Sequence, residues 1–406
     1  MSFLANWWYR KEKPIWSGIG GDFGFSRYTA VSKTFDGANG VEASGGDEYV
    51  YTDPGPGNIY KSHVFNSSGS LVVNKLSTEP TCPNAIQYLV VAGGGGGGMY
   101  TGGGGGAGGC LANLPSAVYG NQAQGANTLS GAATITVTIG GGGTGNTPAW
   151  YSEDNTNGGD TSITGSIIDN ITADGGGRGG NYWSPAPSLP FSYGKDGGSG
   201  GGGSRTSFPG PSTARYGDGN NPTSWSPVPQ GNPGGGGYTG QPGGQGGGGG
   251  GGWGTTGQAA GPPGSTGQDY IAGGGGKGRG APAETWGPSL AVGGPGPGSP
   301  APQKGWFGGG GGGGAEVHPG STGTGGMGGG PTAPDTGWAG GGKGGSQNEG
   351  SPSDGARTAG GTNTGGGGGA GDGGAPVQNQ SGANGGSGIV MIRYQVTASM
   401  PSDPFG

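Results

Sequence analysis

The chain has 406 residues, of which 119 are glycine and 32 are proline, while 10% are charged and 28% are hydrophobic. Globular domains average about 7% glycine and about a quarter charged residues, so a conventional core cannot fill this chain. Collagen is also excluded, because its glycines recur at every third position. Here the glycines form blocks, such as residues 93–98, 246–252 and 308–314.

Charge and hydropathy exclude two further classes of function. The net charge is −6 and the 17 basic residues are scattered, so no nucleic-acid partner is expected. A membrane-spanning helix needs about 20 apolar residues, and no apolar run reaches that length, so no membrane span is expected. The charges at Arg10 and Lys11 follow the first aromatic residues, unlike the order in a secretory signal. We therefore expect synthesis in a cytoplasm, without export by the general secretory route.

Strand-like segments rich in β-branched and aromatic residues lie between turn signals along the chain. Residues 134–139 alternate polar and apolar types, which predicts a half-buried strand with one wet face. Residues 88–92 and 389–392 are continuously apolar, which is typical of central strands covered on both faces. Residues 66–69 predict a hairpin turn. The predicted strands are 48–52, 60–65, 70–75, 86–92, 133–139, 161–163, 167–173 and 389–396.

The apolar strand at residues 389–396 decides how the glycine-rich zone is interpreted. A disordered tail would end in low complexity, whereas here a strand returns after the glycine-rich residues 175–385. That strand needs partners, and the earlier strands supply them. The glycine-rich zone is therefore predicted to be a set of insertions between strands of one sheet system.

Glycine blocks can become ordered through hydrogen bonds between neighbouring backbones. In polyproline-II geometry the backbone has three residues per turn and no internal hydrogen bonds, so each N–H and C=O points outward. Without Cβ atoms, such helices can approach closely and satisfy each other's backbone groups, as strands do in a sheet. The predicted fold class is all-β: a jelly-roll-like β-sandwich with a long inserted polyglycine-II helix bundle and little or no α-helix.

Motifs for catalysis, cofactors and metals are weak. Gly-x-Gly-x-x-Gly recurs by chance at this glycine content and lacks a strand-then-helix context, so no cofactor is predicted. The two histidines, His63 and His318, and the two cysteines, Cys82 and Cys110, lack zinc-site spacing, so no metal is predicted. The cysteines can form one disulfide or stay as free thiols. His63 lies on a predicted strand, where a structural role is expected, and we assign no catalytic residue.

A resemblance to a known family rests on four stretches of sequence. YKSHVFNSSGSLVV at residues 60–73 and QYLVVAGGGG at residues 87–96 resemble the start of the glycine-rich domain of tailed-phage virion proteins, including those of cyanophages. TVTIGGG at 136–142 and GGSGIVMIRY at 385–394 are similar to its middle and end. The glycine-rich region of anaplastic-lymphoma-type receptor kinases is similar in style, with β-sandwich strands and polyglycine-II insertions. The resemblance implies a role on the virion surface.

With this resemblance, four segments are predicted: an N-terminal virion-attachment segment (1–45), a β-sandwich with glycine insertions (46–180), a polyglycine-II bundle with loops (181–385), and a closing strand with a C-terminal tail (386–406). Tryptophans at the edges of glycine blocks have two interpretations. They cover the open face of the bundle, or they contact the host at loop tips. The candidate host-contact residues are Trp183, Trp225, Trp253, Trp286, Trp306 and Trp338, and the candidate anchor residues are Trp7, Trp8, Tyr9 and Trp16.

The leading hypothesis is a non-enzymatic virion structural protein, a tail fibre, spike or receptor-binding component that contacts host surface polysaccharide or protein. It is expected to be assembled in the host cytoplasm, exposed on the particle, and attached to other virion proteins through its N-terminal segment. Fibres are commonly trimers, so a homotrimer is expected. Two alternatives remain: a capsid decoration or head fibre protein, and a polysaccharide-degrading tailspike that uses carboxylates such as Asp160, Asp169 or Asp174.

Overall fold

A computed structural model shows the chain as β-strands joined by extended glycine segments, with a turn of 3-10 helix at Trp338–Gly340. The strands are β1 (Glu42–Ser44), β2 (Asp47–Thr52), β3 (Ile59–Phe65), β4 (Gly69–Lys75), β5 (Ala85–Val91), β6 (Cys110–Ala112), β7 (Asn127–Thr128), β8 (Thr134–Thr138), β9 (Thr161–Thr164), β10 (Ile171–Ala173), β11 (Tyr238–Thr239), β12 (Gln245–Gly246), β13 (Asp269–Ile271), β14 (Arg279–Gly280), β15 (Trp306–Phe307), β16 (Ala315–Glu316), β17 (Thr322–Thr324) and β18 (Ile389–Val396). The structure describes residues 40–53, 57–113, 125–147, 154–182, 192–205, 230–239, 245–261, 269–281, 286–287, 292–295, 305–316, 322–324, 326, 328–329, 338–346, 357–373 and 381–396.

Two antiparallel sheets pack face to face. One has the strand order β1-β4-β8-β9-β10, and the other has the order β2-β3-β18-β5-β6, with β7 paired to the start of β5. Leu71 and Ile135 of the first sheet share one buried apolar cluster with Val90 and Val390 of the second. Buried and exposed residues alternate along β8, as its sequence predicts. The predicted all-β sandwich is confirmed.

Strand β18 lies at the centre of the six-stranded sheet, between β3 and β5. Its residues Val390 and Ile392 face the interior between the sheets, while Ile389 and Met391 belong to a second apolar cluster on the outer face. Because both faces are covered, residues 389–392 of the strand are continuously apolar. Since β18 pairs with β5, the strand that follows the glycine-rich zone joins the sheet of the earlier strands, as predicted.

Three details differ from the sequence-based predictions. Residues 66–69 do not form a hairpin, because β3 and β4 belong to different sheets and the turn crosses between them. The predicted strand 167–173 is shortened to β10, since the Asn170 side chain accepts a hydrogen bond from the Gly165 backbone (3.1 Å) and so stabilises a turn. Strand β1 pairs with β4, so the sandwich begins within the segment 1–45.

The extended glycine segments, called rods below, are bonded with a repeat of three residues. In the rod at residues 93–98, Gly93 and Gly96 donate to the segment 156–159, and the next two residues of each triplet donate to the segments 383–386 and 103–106. The N···O distances of these bonds are 2.8–3.0 Å. A repeat of three is the period of the polyproline-II helix, so the predicted polyglycine-II geometry accounts for the pattern.

The carbonyl groups of the same rod complete its surroundings. They accept hydrogen bonds from the segments 176–179, 143–146 and 368–371, again with every third residue facing the same neighbour. The neighbours bonded to its N–H groups run antiparallel to the rod, and those bonded to its carbonyls run parallel. The rod at 93–98 therefore has six neighbours and no unpaired backbone group, as a buried backbone requires.

The rods form one bundle that spans the predicted boundary at residue 180. Gly180 accepts a hydrogen bond from Gly103 and donates one to Gly202, so rods on both sides of the boundary are interleaved. Most of their residues are buried. The principal rods are residues 93–98, 102–109, 140–146, 155–160, 175–181, 198–204, 231–237, 247–252, 273–278, 308–314, 340–346, 365–372 and 382–388.

Glycine is required at many interior positions, because the rods there lie closer together than a side chain permits. A Cβ atom built on Gly95 would strike the carbonyl oxygen of Gly177. That oxygen cannot move away freely, because it accepts a hydrogen bond from the Gly106 backbone (2.8 Å). At the exposed border of the bundle the constraint disappears, and a Cβ atom on Gly141 would meet no atom within 4 Å.

We expect Gly95→Ala and Gly141→Ala to change the free energy of unfolding in opposite directions. Gly95→Ala overpacks the interior and should cost about 1–3 kcal/mol or more. Gly141→Ala places its methyl group in open space and restricts the unfolded chain, which should stabilise by about 0.4–1 kcal/mol. Denaturant unfolding of the full chain measures both values. Equal effects of the two substitutions would contradict the close approach of the rods.

Candidate functional site at the loop end of the bundle

The bundle has a sheet end and a loop end. The rod at 93–98 continues from β5, and the rod at 102–109 returns into β6. Residues 99–101 form the turn between these two rods, and the Gly98 N–H donates to the Gly103 carbonyl across it (2.9 Å). The loop end is therefore the end at residues 98–103. The hydrogen bonds that the other rods make with these two rods show which end of each rod lies at the loop end.

Several segments outside the described residues are flanked on both sides by residues of the loop end. Asn146 donates to Gly97 (3.2 Å), and Gly382 in turn donates to Asn146 (2.9 Å). Gly373 lies beside Ala315, and Arg205 donates to the Thr101 carbonyl (3.3 Å). These segments include 148–153, 183–191, 240–244, 317–321, 347–356 and 374–380.

The two ends of the described chain lie together at the opposite pole of the molecule. Strand β18 begins beside the bundle at Ile389 and runs away from it to Val396. A Cβ atom built on Gly40 would lie 3.4 Å from the Cα atom of Val396. Residues 1–39 and 397–406 therefore join the described part at the sandwich pole, while these segments join it at the loop end.

Two of the predicted host-contact residues are buried at the sheet end. Trp253 and Trp286 are 0% exposed, and they belong to the apolar cluster that includes Phe307, Leu89 and Met391 on the outer face of the sheet. Host contact does not fit these two residues, because protein covers them completely. The covering interpretation does fit, since the indole rings shield apolar strands that polyglycine cannot shield.

The other predicted aromatic residues lie at the sheet end or outside the described residues. Trp306 is half-buried in β15, which pairs with β14. Trp338 begins the 3-10 turn, in which the Ala339 carbonyl accepts from Gly309 (3.1 Å) at the sheet end. The predicted residues outside the described part are Trp183, Trp225, Trp7, Trp8, Tyr9 and Trp16.

Polar side chains converge at the loop end, in what we call the Arg205 cluster: Thr101, Tyr182, Arg205, Gln245 and Glu316. The Arg205 guanidinium lies 3.5 Å from the centre of the Tyr182 ring, and it forms an ion pair with Glu316. Thr101 is fully buried beside Arg205, and Gln245 pairs with Glu316 between β12 and β16. A few converging polar groups beside an aromatic ring are typical of ligand sites.

A second set of polar side chains lies beside the Arg205 cluster and caps the ends of two rods. The Asn155 side chain donates to the Gly179 carbonyl (2.7 Å) and accepts from Asn181 (2.8 Å) and Arg178 (3.3 Å). Asn181 in turn accepts from the Met99 backbone (3.1 Å). All of these polar atoms have partners within the protein, so this group serves the structure. Sequence reasoning missed both groups, because their members lie in unrelated glycine-rich segments.

His63 is a structural residue, as its strand position predicted. It is fully buried, and its Nδ1 donates to the Gly45 carbonyl (2.7 Å) while its Nε2 accepts from the Tyr394 hydroxyl (3.0 Å). Both ring nitrogens are thus used within the sandwich by a neutral ring. Burial lowers the pKa of His63 to about 4, although the Glu48 carboxylate lies 3.8 Å from Nδ1.

Of the three carboxylates considered for a tailspike, two form structural hydrogen bonds. Asp160 accepts from the Gly175 backbone (2.8 Å), and Asp174 accepts from the Gln230 side chain (3.1 Å). Asp169 is exposed. Within the described ranges, no three His, Cys, Asp or Glu side chains are grouped to hold a metal ion. The helices in that part of the chain are all too short or too polar to span a membrane.

The two cysteines do not form a disulfide, so the free-thiol alternative applies. Cys82 and Cys110 are both free thiols, and both are buried. Cys110 lies in the apolar cluster on the outer face of the sheet, where burial raises the pKa of its thiol far above the usual range. A thiol that stays protonated is a poor nucleophile, so Cys110 serves packing.

Comparison with known proteins identifies the family. A family model described as a glycine-rich domain matches residues 72–330, more than half of the chain, and the chain belongs to that family. No curated protein and no solved structure matches the chain. The match confirms the glycine-rich domain in the resemblance, and the tailed-phage origin stays a prediction.

We expect the free energy of unfolding to decrease as the pH is lowered from about 6.5 to about 4, because of His63. An unfolded histidine takes up a proton near pH 6.5, whereas folded His63 stays neutral down to about pH 4. The unfolded state thus binds more protons in this window, and stability there increases with pH, by up to about 3 kcal/mol.

Denaturant unfolding of the full chain at several pH values measures this slope. His63→Gln keeps a hydrogen-bonding side chain but removes the titration, so it should flatten the profile in this window. The same slope in the variant and in the original protein would contradict a buried neutral His63.

Proposed function

We propose that this member of the glycine-rich domain family is a non-enzymatic structural protein of a tailed-phage virion, a tail fibre, spike or receptor-binding component that contacts the host surface. The observation that supports the proposal is that the fold has two different ends. Residues 1–39 and 397–406 join the described part at the sandwich pole, and several other segments join it at the opposite end.

The sandwich pole is suited to attachment. Residues 1–39 join the described part there, and they include the candidate anchor residues Trp7, Trp8, Tyr9 and Trp16. An attachment segment at that pole directs the bundle away from the particle. We therefore propose that other virion proteins bind the N-terminal segment, and that the chain assembles there as a homotrimer.

The bundle is suited to presenting loops at a fixed distance. Six residues in the rod at 93–98, at ~3.1 Å each, place the loop end about 19 Å from the sheet end. The interior of the bundle has almost no side chains, so recognition chemistry can be placed only at its ends and borders. Binding residues concentrate on loops that a rigid scaffold positions, and the loop end has this arrangement.

The proposal predicts where the chain is found on virions of the phage that encodes it. Gold-labelled antibodies raised against the full chain should bind at the tail or its fibres, as seen by electron microscopy. Label on the capsid would instead assign a decoration or head fibre protein, and unlabelled particles would contradict any virion role.

The same proposal predicts that the purified full chain competes with virions for adsorption to host cells. It should not shorten purified host polysaccharide, because no catalytic residue is assigned. Depolymerisation of that polysaccharide would establish the tailspike alternative and overturn the non-enzymatic proposal.

A further inference from the structure

Three buried polar side-chain atoms of the Arg205 cluster have no hydrogen-bond partner among the residues that the structure describes. They are the Thr101 hydroxyl, the Arg205 Nε and the Gln245 carbonyl oxygen. Buried polar groups in native proteins are nearly always paired, so each exception needs a specific explanation. Three exceptions in one cluster at the loop end indicate a site prepared for a polar ligand.

The three atoms belong to one continuous site. The Thr101 carbonyl accepts from the Arg205 backbone (3.3 Å), which places the two residues side by side. Arg205 forms its ion pair with Glu316, and Glu316 is the register partner of Gln245. Tyr182 and Glu316 are partly exposed, so the site reaches the surface of the loop end.

The donor and acceptor types define the chemistry of the ligand. The Arg205 Nε–H can only donate, the Gln245 oxygen can only accept, and the Thr101 hydroxyl can do both. A ligand hydroxyl group also donates and accepts, so hydroxyl groups complement this set. Glu316 already balances the charge of Arg205 and repels anions, which disfavours acidic ligands.

The described residues at the loop end favour a saccharide over a protein partner. Protein interfaces have an apolar centre, usually with aromatic anchors. Among the described residues, the large hydrophobic side chain that is exposed is Val72, which lies on β4 in the sandwich. The Tyr182 ring supplies the apolar surface beside polar groups that a sugar ring needs.

We propose that the Arg205 cluster is a binding subsite for the hydroxyl groups of a neutral saccharide on the host surface. This inference rests on the proposed function and names the chemical class of the host ligand. Thr101, Arg205 and Gln245 bind the sugar hydroxyls, and Tyr182 packs against the sugar ring. Side-chain rotations of the size common at binding sites open the site to the ligand.

Calorimetric titration of the full chain tests the proposal. The neutral probes are hexasaccharides of glucose, galactose and mannose, and the acidic probe is a hexasaccharide of galacturonic acid. At least one neutral probe should bind, and the acidic probe should bind more weakly. Thr101→Val and Gln245→Met each remove one hydrogen-bonding atom at similar volume, and each should weaken binding about 3- to 10-fold.

Thr172→Val is the matched control, because Thr172 is exposed on β10, in the five-stranded sheet of the sandwich and outside the Arg205 cluster. It should leave saccharide affinity unchanged. Thermal unfolding verifies that each variant is folded, and if Thr101→Val does not fold, Gln245→Met at its partly exposed position decides the test. Unchanged affinity in the cluster variants, or a preference for the acidic probe, overturns the proposal.

Host adsorption separates this inference from the proposed function. A full chain that blocks virion adsorption but binds no neutral probe overturns the saccharide subsite and leaves the host-contact function standing. A full chain that neither blocks adsorption nor binds any probe contradicts both.

Discussion

The whole structure depends on backbones that approach one another more closely than any side chain allows. Ordering one residue costs about 1–2 kcal/mol of backbone entropy, and glycine is at the upper end. One hydrogen bond contributes a net of only about 0.5–1.5 kcal/mol. A single rod therefore cannot be stable, whereas a rod such as 93–98, with both N–H and C=O of every residue bonded, can be. Stability is a collective property of the bundle.

The border of the bundle explains which residues other than glycine occur in it. A border rod lacks a neighbour on one side, and short polar side chains take the place of that neighbour. Asn384 accepts from the Gly145 backbone (2.8 Å), and Asn157 accepts from Arg178 (2.9 Å). Gln230 does the same for the Asp174 backbone (2.8 Å). Asn and Gln thus close the bundle where glycine cannot.

The strands could be predicted from the sequence because their side chains record their surroundings. The continuous apolar runs of β5 and β18 required cover on both faces, and the alternation of β8 required one core and one wet face. The neighbours of the rods could not be predicted, because glycines within a block are chemically identical. Gly95 and Gly96 are adjacent, yet they donate to rods that lie in different parts of the sequence.

The positions of side chains within the bundle could not be predicted either, for the same reason. Trp253 and Trp286 have glycine-rich surroundings that do not distinguish a buried covering residue from an exposed one. The ion pair of Arg205 and Glu316 joins residues 111 positions apart, in segments without periodicity. What places them is the register of the bundle, which the sheet sets where β5, β6 and β18 meet the rods.

The interior and the two ends of the bundle differ in whether they serve the stability of the fold or its recognition chemistry. A side chain where two rods approach closely, as at Gly95, is destabilising whatever its chemistry, so these interior positions cannot carry a binding site. At the sheet end, the side chains are occupied in joining the bundle to the sandwich, as Trp253 and Phe307 are. The loop end has neither constraint, and the entropy of closing a loop increases only slowly with its length. Loops there can change in length and composition without disturbing the rods, which is the property that the proposed host-contact surface requires.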